Sequence, residues 1–246
     1  MDLGNNQFTG TVPSEIGALS RLEFLSMNSN KLQGTLPREL GLLTNLKSLN
    51  LASNSLAGTL PNISNMLRLV NLQLFENQLT GSIPEAVQQL QSIEILALGS
   101  NKLDGTIPRS ISRLSRTLRG LYLSDNNIQG RIPTDLCSFS SLEALFLDSN
   151  DLFGPVPSCI GQLSKLQQLY LFQNQFTGQI PTTFGNLQKL TGLGLENNGF
   201  NGEMPSGVCE LVDEFSLDVW ADCDTSDSTP VTCDCCSVCC PSDKCQ

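Results

Sequence analysis

The chain of 246 residues has a net charge of −10 and contains no histidine. Residues 1–205 hold 15 acidic and 13 basic residues, whereas residues 206–246 hold nine acidic residues and one basic residue. The composition argues against a nucleic-acid partner, because no basic surface could neutralise phosphates, and it excludes Ser-His-Asp and Cys-His nucleophilic catalysis. We therefore expect no catalytic residues, no cofactor and no enzymatic activity.

The chain is built of repeats of 23 to 25 residues, and it begins within one of them. Met1 to Asn6 enter it in mid-strand, with no signal peptide and no amphipathic, cysteine-bearing cap before it. Because the ends of stacked repeats need shielding, we expect a C-terminal portion of a longer protein or a truncated gene model. The alternative is a complete protein with a frayed first coil.

An eight-residue motif, Asn-x-Leu/Phe-x-Gly-x-apolar-Pro, recurs along the chain every 23 to 25 residues. Eight of its nine copies follow the pattern apolar-x-x-apolar-x-apolar-x-x-Asn, as in Leu46, Leu49 and Leu51 before Asn54. A fixed period of this length with this leucine spacing is the signature of a leucine-rich-repeat solenoid. The motif asparagines are Asn6, Asn30, Asn54, Asn77, Asn101, Asn126, Asn150, Asn174 and Asn198.

Each repeat predicts one coil of that solenoid. The Leu-x-Leu step predicts a short strand with its leucines inward and its middle residue outward, so stacked coils form a parallel concave β-sheet. Gly and Pro turn the chain towards short 3-10 or helical turns on the convex side. The predicted fold is an α/β solenoid, a leucine-rich-repeat superhelix of about nine coils plus a C-terminal Cys-rich cap. A buried, hydrogen-bonded ladder is predicted for the asparagines from Asn30 to Asn198.

The outward positions of the concave strands contain a run of aromatic residues. The middle residues of the Leu-x-Leu steps are Ser26, Asn50, Gln73, Ala97, Tyr122, Phe146, Tyr170 and Gly194. Tyr122, Phe146 and Tyr170 should stand solvent-exposed, about 5 Å apart along the sheet, and Phe172 follows two positions later. Aromatic patches with polar rims mark interfaces, although aromatic residues also favour strands for packing alone. The predicted ligand-binding residues are Tyr122, Phe146, Tyr170, Phe172, Asp125, Asp148, Glu143 and Arg119.

Two features of the exposed edges suggest other roles. Thr11, Thr35, Thr59, Ser82 and Thr106 follow the motif glycine in five successive coils. Such a row could order water, as on an ice-binding surface, or could reflect the strand preference of threonine. Asn62 begins the only glycosylation sequon, Asn62-Ile63-Ser64, which predicts modification of a secreted protein.

The C-terminal region, residues 206–246, predicts a degenerate last coil and a cysteine-rich cap after the 1–205 solenoid. Leu217 and Val219 are assigned to the strand leucine positions and Asp222 to the asparagine position. The cysteines of this region could form disulfides, which we favour, or hold a metal through the Cys-x-x-Cys and Cys-x-Cys spacings. The pairing of Cys137 and Cys159 is left open. The disulfide candidates are Cys209, Cys223, Cys233, Cys235, Cys236, Cys239, Cys240 and Cys245.

The second half of the unit, as in Leu79-Thr80-Gly81-Ser82-Ile83-Pro84 and residues 103–108, resembles plant-type leucine-rich repeats. Over residues 1 to about 205 the chain is similar to the ectodomains of plant receptor-like kinases and receptor-like proteins, and to polygalacturonase inhibitors. The cysteine-rich tail resembles that of diatom leucine-rich-repeat proteins.

The resemblance implies an extracellular or cell-surface recognition module that binds a protein, peptide or glycan ligand on its concave face. A secreted inhibitor or cell-wall-associated protein is the alternative. No stretch approaches the ~20 apolar residues of a membrane span, so membrane association would need a segment outside this chain.

Overall fold

In the computed structural model, which describes residues 1–223 and 231–240, the chain winds into a stack of coils made of short parallel strands and turns. The concave side of the described part is one parallel sheet, in chain order. Its strands are short because two inward leucines suffice to fill each coil. They are Phe24–Ser26, Ser48–Asn50, Asn71–Gln73, Ile95–Ala97, Gly120–Tyr122, Ala144–Phe146, Gln168–Tyr170, Gly192–Gly194, Asp218–Asp222 and Val238–Cys240.

A second set of strands follows the motif asparagines. One five-stranded sheet contains Thr9–Gly10, Lys31–Thr35, Ser55–Gly58, Gln78–Ser82 and Lys102–Asp104. The next contains Gln129–Gly130, Asp151–Gly154, Gln175–Gln179, Gly199–Glu203 and Val231–Thr232. The break between them falls where the spacing of successive motif asparagines, Asn101 to Asn126, is the longest in the chain.

Short 3-10 helices form the convex side. Each begins directly after a motif proline in extended conformation, such as Pro37 with φ −69° and ψ 139°, because proline fixes φ and donates no hydrogen bond. The motif glycine before it has positive φ in every coil, as in Gly34 at +77°. The 3-10 helices are Ser14–Ala18, Arg38–Leu42, Glu85–Gln89, Arg109–Leu114, Thr134–Ser138, Ser158–Gln162 and Thr182–Asn186.

The core runs as one continuous apolar column between the two sides. The paired strand leucines, for example Leu49 and Leu51, are 2% and 0% exposed. A coil buries such side chains only against its neighbours, so stability is shared along the stack. The predicted superhelix with a parallel concave sheet and 3-10 turns is confirmed.

The last coil differs from its predicted alignment. Its turn is an α-helix, Ser206–Phe215, rather than a 3-10 helix, and the longer turn shifts the following strand by two residues. Val219 therefore pairs with Leu193, and Trp220 pairs with Gly194. The assignment of Leu217 and Val219 to the two strand leucine positions was wrong: Val219 and Ala221 occupy them, and Leu217 lies buried before the strand. Asp222 instead accepts the backbone N–H groups of Asn197 and Asn198, at 2.8 and 2.9 Å.

Among the described residues, no helix has both the length and the apolar character needed to span a bilayer.

Candidate functional site

A row of aromatic side chains crosses the concave sheet at the middle position of its strands. Tyr122, Phe146 and Tyr170, which we call the aromatic row, are direct partners in the parallel register. The ring centroids of Tyr122 and Phe146 lie 4.9 Å apart and nearly perpendicular, and those of Phe146 and Tyr170 lie 4.5 Å apart. The expectation that these three residues stand solvent-exposed was wrong. All three side chains are half-buried, because each ring covers part of its neighbour and Tyr122 also folds back over Gly120.

Glycines make room for the C-terminal end of this row. A Cβ added at Gly192 would lie 2.8 Å from the hydroxyl oxygen of Tyr170. A Cβ added at Gly194 would lie 2.9 Å from Cδ1 of Phe172 and 3.3 Å from Cδ1 of Tyr170. The centroids of the Tyr170 and Phe172 rings are 6.1 Å apart. The two rings thus lie against strand backbone that a larger residue would obstruct.

An exposed ion pair borders the other side of the row. The guanidinium of Arg119 donates to both carboxylate oxygens of Glu143, at 2.9 and 3.0 Å, and lies 3.9 Å from the carboxylate of Glu94. The hydrogen bond to Glu143 and the charge of that carboxylate raise the pKa of Arg119. Arg119 therefore stays protonated and is held at the edge of the sheet, although an exposed pair of this kind stabilises the fold little.

The two aspartates predicted at the rim differ in environment. Asp125 is exposed, whereas Asp148 is only 7% exposed and accepts a hydrogen bond of 2.6 Å from Oγ of Ser124. Burial raises the pKa of Asp148, since desolvation disfavours the carboxylate. The expectation that Asp148 borders an exposed strip was therefore wrong, because this carboxylate is buried and bonded to Ser124.

Two residues missing from the predicted set complete this face. Trp220, the only tryptophan of the chain, stands half-buried one strand beyond Gly194, in the same column as the aromatic row. Because the last coil is shifted by two residues, the repeat period did not predict the outward position of Trp220. Glu196 is half-buried beside it, and its Oε2 is buried without a hydrogen-bond partner in the described structure. Burial raises the pKa of Glu196. The outward position of Glu196, two residues after Gly194, was the available sequence signal.

Hollows flank the aromatic row where side chains are small. The first, of about 430 Å³, lies between Phe75 and Tyr122 over Ala97 and Gly99. The second, of about 190 Å³, is lined by Tyr170, Phe172, Gly194, Glu196 and Trp220. The concave face therefore offers an apolar ridge with a recess at each end, a shape suited to holding an extended ligand.

The asparagines from Asn30 to Asn198 lie at the end of the concave strands and bond to backbone. Asn77, Asn101 and Asn126 are buried as predicted, whereas the other five are half-buried. Asn77 is typical: its Nδ2 donates to the carbonyls of Leu51 and Leu74, at 3.0 and 3.1 Å, and its Oδ1 accepts the N–H of Leu56 at 3.0 Å. The same pattern recurs in the other seven coils. These side chains are occupied by the chain itself, which leaves them unsuited to ligand contact.

The cysteines of the described residues pair between two neighbouring coils of the solenoid and within the C-terminal cap. Cys137 and Cys159, whose pairing could not be decided from the sequence, form a disulfide between neighbouring 3-10 turns. The cap is closed by Cys209–Cys235, Cys223–Cys239 and Cys233–Cys236. Sulfur atoms of Cys223, Cys236 and Cys239 lie within 4.8 Å of one another, but each belongs to a disulfide in the structure. The side chain of Cys240 and the whole of Cys245 lie outside the described residues.

The threonine row and the sequon lie at the surface. Thr11, Thr35, Thr59, Ser82 and Thr106 are all exposed. The methyl group of each of the first three lies against the motif glycine of the next coil, as Thr35 does at Gly58. Asn62 is exposed as well, and its Oδ1 accepts the N–H of Ser64 at 3.0 Å.

Comparison with known families and structures agrees with this architecture. The family profile "Leucine Rich Repeat" matches residues 1–19, 21–43, 45–66, 68–90, 117–139 and 165–187, more than half of the chain. No curated protein sequence matches the chain.

Among solved structures, the plant peptide hormone receptor RGFR1, in complex with RGF2, is 34% identical with a TM-score of 0.84, covering 88% of this chain and 34% of that one. The ectodomain of the Arabidopsis receptor kinase HAESA, in complex with an IDA peptide hormone, is 31% identical with a TM-score of 0.83, covering 92% and 37%. A plant ice-binding protein is 29% identical with a TM-score of 0.75, covering 87% and 67%. The chain spans about a third of the length of the receptor structures it matches.

Proposed function

The chain belongs to the leucine-rich-repeat family, and from this premise we propose that it is a non-enzymatic recognition module of a receptor-like protein. In this proposal it lies outside the cell or at its surface and binds a protein, peptide or glycan ligand on its concave face. The ligand contacts Tyr122, Phe146, Tyr170 and Phe172, with Arg119, Glu143 and Asp125 at the rim. Asp148 lies beneath this surface and contributes through its hydrogen bond with Ser124.

The observation that carries this proposal is the continuous aromatic row between two hollows. Aromatic side chains supply large contact areas at low entropic cost and are frequent anchors of interfaces and of sugar stacking. Along the coils before Ala97, the same column holds Ser26, Asn50 and Gln73, so the ridge is local. A local apolar ridge with a polar rim is typical of an interface rather than of the scaffold in general.

The comparisons support the class of partner. Two of the similar structures are plant receptors with peptide hormones bound, and both share the solenoid over most of this chain. Four disulfides in the described residues support the secretory pathway, because such bonds persist in oxidising compartments. An exposed sequon asparagine at position 62 is compatible with it.

The test is a binding screen with a matched control. The oxidised chain is immobilised and probed with secreted proteins, peptides and glycans, and each candidate is measured by calorimetry. The triple variant Tyr122→Ala/Phe146→Ala/Tyr170→Ala should weaken a true ligand by about 2 kcal/mol or more. Phe153→Ala, at an aromatic residue exposed on the second set of strands, should leave affinity unchanged. A ligand held equally by the triple variant would contradict the assignment. The inhibitor alternative shares this face and is distinguished by whether the captured partner is an enzyme that loses activity.

A second candidate function is ice binding, favoured by the exposed threonine row. Its members project from neighbouring coils about 4.8 Å apart, a regular spacing for ordered water. The similarity to a plant ice-binding protein over 67% of its length adds support. Thr35→Lys/Thr59→Lys should abolish inhibition of ice recrystallisation, whereas Thr177→Lys, on the other five-stranded sheet, should not. Wild-type protein without such inhibition would reject this candidate.

A further inference from the structure

We infer that the hollow between Tyr170 and Trp220 is a subsite for a cationic group of the ligand, an ammonium or a guanidinium. This inference rests on the proposed function, because it names the ligand chemistry that one end of the concave face recognises. We call the residues Tyr170, Phe172, Gly194, Glu196 and Trp220 the cation cage.

The shape of the cage follows from one missing side chain. Tyr170, Gly194 and Trp220 occupy the same column on three successive strands. The Cα atoms of the two aromatic residues are therefore about 9.5 Å apart along the sheet, and Gly194 places no side chain of its own between them. Phe172 closes one side, since its Cδ1 lies 2.9 Å from a Cβ placed at Gly194.

The charge of the cage is negative. Oε2 of Glu196 is buried at the floor, 3.5 Å from a Cβ placed at Gly194, and receives no hydrogen bond from the described residues. Asp222 is also close, but its two carboxylate oxygens already accept the N–H groups of Asn197 and Asn198. Glu196 therefore has an unused acceptor buried beneath a recess lined by three aromatic side chains.

The balance of charges around the cage selects a cation. Burial and then the charge of Asp218 raise the pKa of Tyr170, so a second carboxylate lies near the aromatic wall. Among the described residues, the ion pairs involve Glu23, Glu39, Glu94 and Glu143, and none reaches Glu196 or Asp218. Ring faces attract cations, and a buried carboxylate gains most from a charged donor. A cationic donor adds charge attraction to the hydrogen bond that a neutral donor could also give Glu196, and an anionic group would be repelled.

The tryptophan provides the measurement. Because Trp220 is the only tryptophan, its fluorescence reports occupancy of the cage directly. The intact chain is titrated with N-acetyl-arginine amide, N-acetyl-lysine amide and tetramethylammonium, and with N-acetyl-citrulline amide as the uncharged control. We expect saturable changes with at least one of the three cations and none with citrulline. The three probes carry a planar guanidinium, a primary ammonium and a quaternary ammonium, so their relative affinities show which kind of cation the cage prefers.

Variants separate a specific site from general attraction to an acidic protein. Glu196→Gln should weaken cation binding by about tenfold, and Gly194→Val should abolish it by filling the recess. Glu85→Gln, on the exposed convex side, removes the same charge and should change nothing. Equal binding of citrulline and arginine probes, or equal loss in Glu85→Gln, would overturn the inference.

The two proposals fail in different ways. If small cations bind through Glu196 but the aromatic row has no macromolecular ligand, the cage stands and the recognition module does not. If a ligand needs the aromatic row but is insensitive to Glu196→Gln and to added cation, the recognition module stands and the cage is rejected.

Discussion

Phe146 and Tyr170 face outward from adjacent parallel strands with their ring centroids 4.5 Å apart, and Phe146 also meets the edge of Tyr122. The middle ring therefore has two aromatic neighbours, whereas each tyrosine has fewer contacts within the row. This arrangement gives the row a small part in stability besides its proposed part in binding.

We expect the single alanine variants of the row to differ in stability. Phe146→Ala should lose about 1–2 kcal/mol, because it removes two aromatic contacts, and Tyr122→Ala should lose about 1 kcal/mol or less. Urea unfolding of each variant measures this, with Phe153→Ala as the exposed control. Equal losses at Phe146 and Phe153 would show that the rings do not support one another.

The free energy of unfolding should depend far more on the asparagine ladder than on the aromatic row. Asn101 is 9% exposed, and its side chain bonds to the carbonyls of Leu74, Leu98 and Gly99 and to the N–H of Leu79. Asn101→Ala leaves several of these groups buried without a partner and should cost about 3 kcal/mol or more.

The matched control for the ladder is Asn6, which is exposed at the first coil and donates only to the carbonyls of Leu3 and Gly4. Asn6→Ala should cost about 1 kcal/mol or less. Urea unfolding measures both variants, and comparable losses would contradict a dominant role for the buried backbone groups.

Asp148 should make stability depend on pH. Its pKa is raised in the folded state by burial, so the folded chain holds the proton more tightly than the unfolded chain. The resulting stabilisation is present below the ordinary aspartate pKa of 3.8 and is lost as pH rises through the higher folded value. Asp148→Asn should therefore gain stability relative to wild type as pH increases across that window.

Asp104→Asn serves as the control for this titration, since Asp104 is exposed and lies on the second set of strands rather than on the concave face. Thermal unfolding of both variants at a series of pH values provides the comparison. If the difference in stability between wild type and Asp148→Asn does not change with pH, the predicted effect of burying Asp148 is refuted.

Reduction should loosen the C-terminal coils first. Three disulfides hold the helix Ser206–Phe215 and the last strands together, and each native bridge is worth about 2–5 kcal/mol. Hydrogen exchange after mild reduction should rise in residues 206–223 before it rises in the central coils. Mass spectrometry of unreduced protein should find the paired thiols blocked. Free thiols with stoichiometric zinc would instead favour the metal interpretation of Cys223, Cys236 and Cys239.

Much of the scaffold was predictable because the repeat enforces it. One period places Tyr122, Phe146 and Tyr170 in one column, since successive coils pair without slipping. Exposure was not predictable: the half-burial of the rings and the burial of Asp148 depend on how neighbouring side chains lean. Trp220 was not predicted, because an α-helix replaced a 3-10 turn and added two residues. The repeat period does not reveal such a change.

The disulfide between Cys137 and Cys159 lies behind the aromatic row, on turns that lead into and out of the strand bearing Phe146. Curvature of a solenoid is set by the difference in spacing between its inner and outer rims. A covalent tie on the outer rim limits how far these coils can splay apart, and so limits how far the inner rim can close. The bond therefore restrains the angle between the coils that bear Phe146 and Tyr170, and so the relative orientation of these two rings towards a ligand.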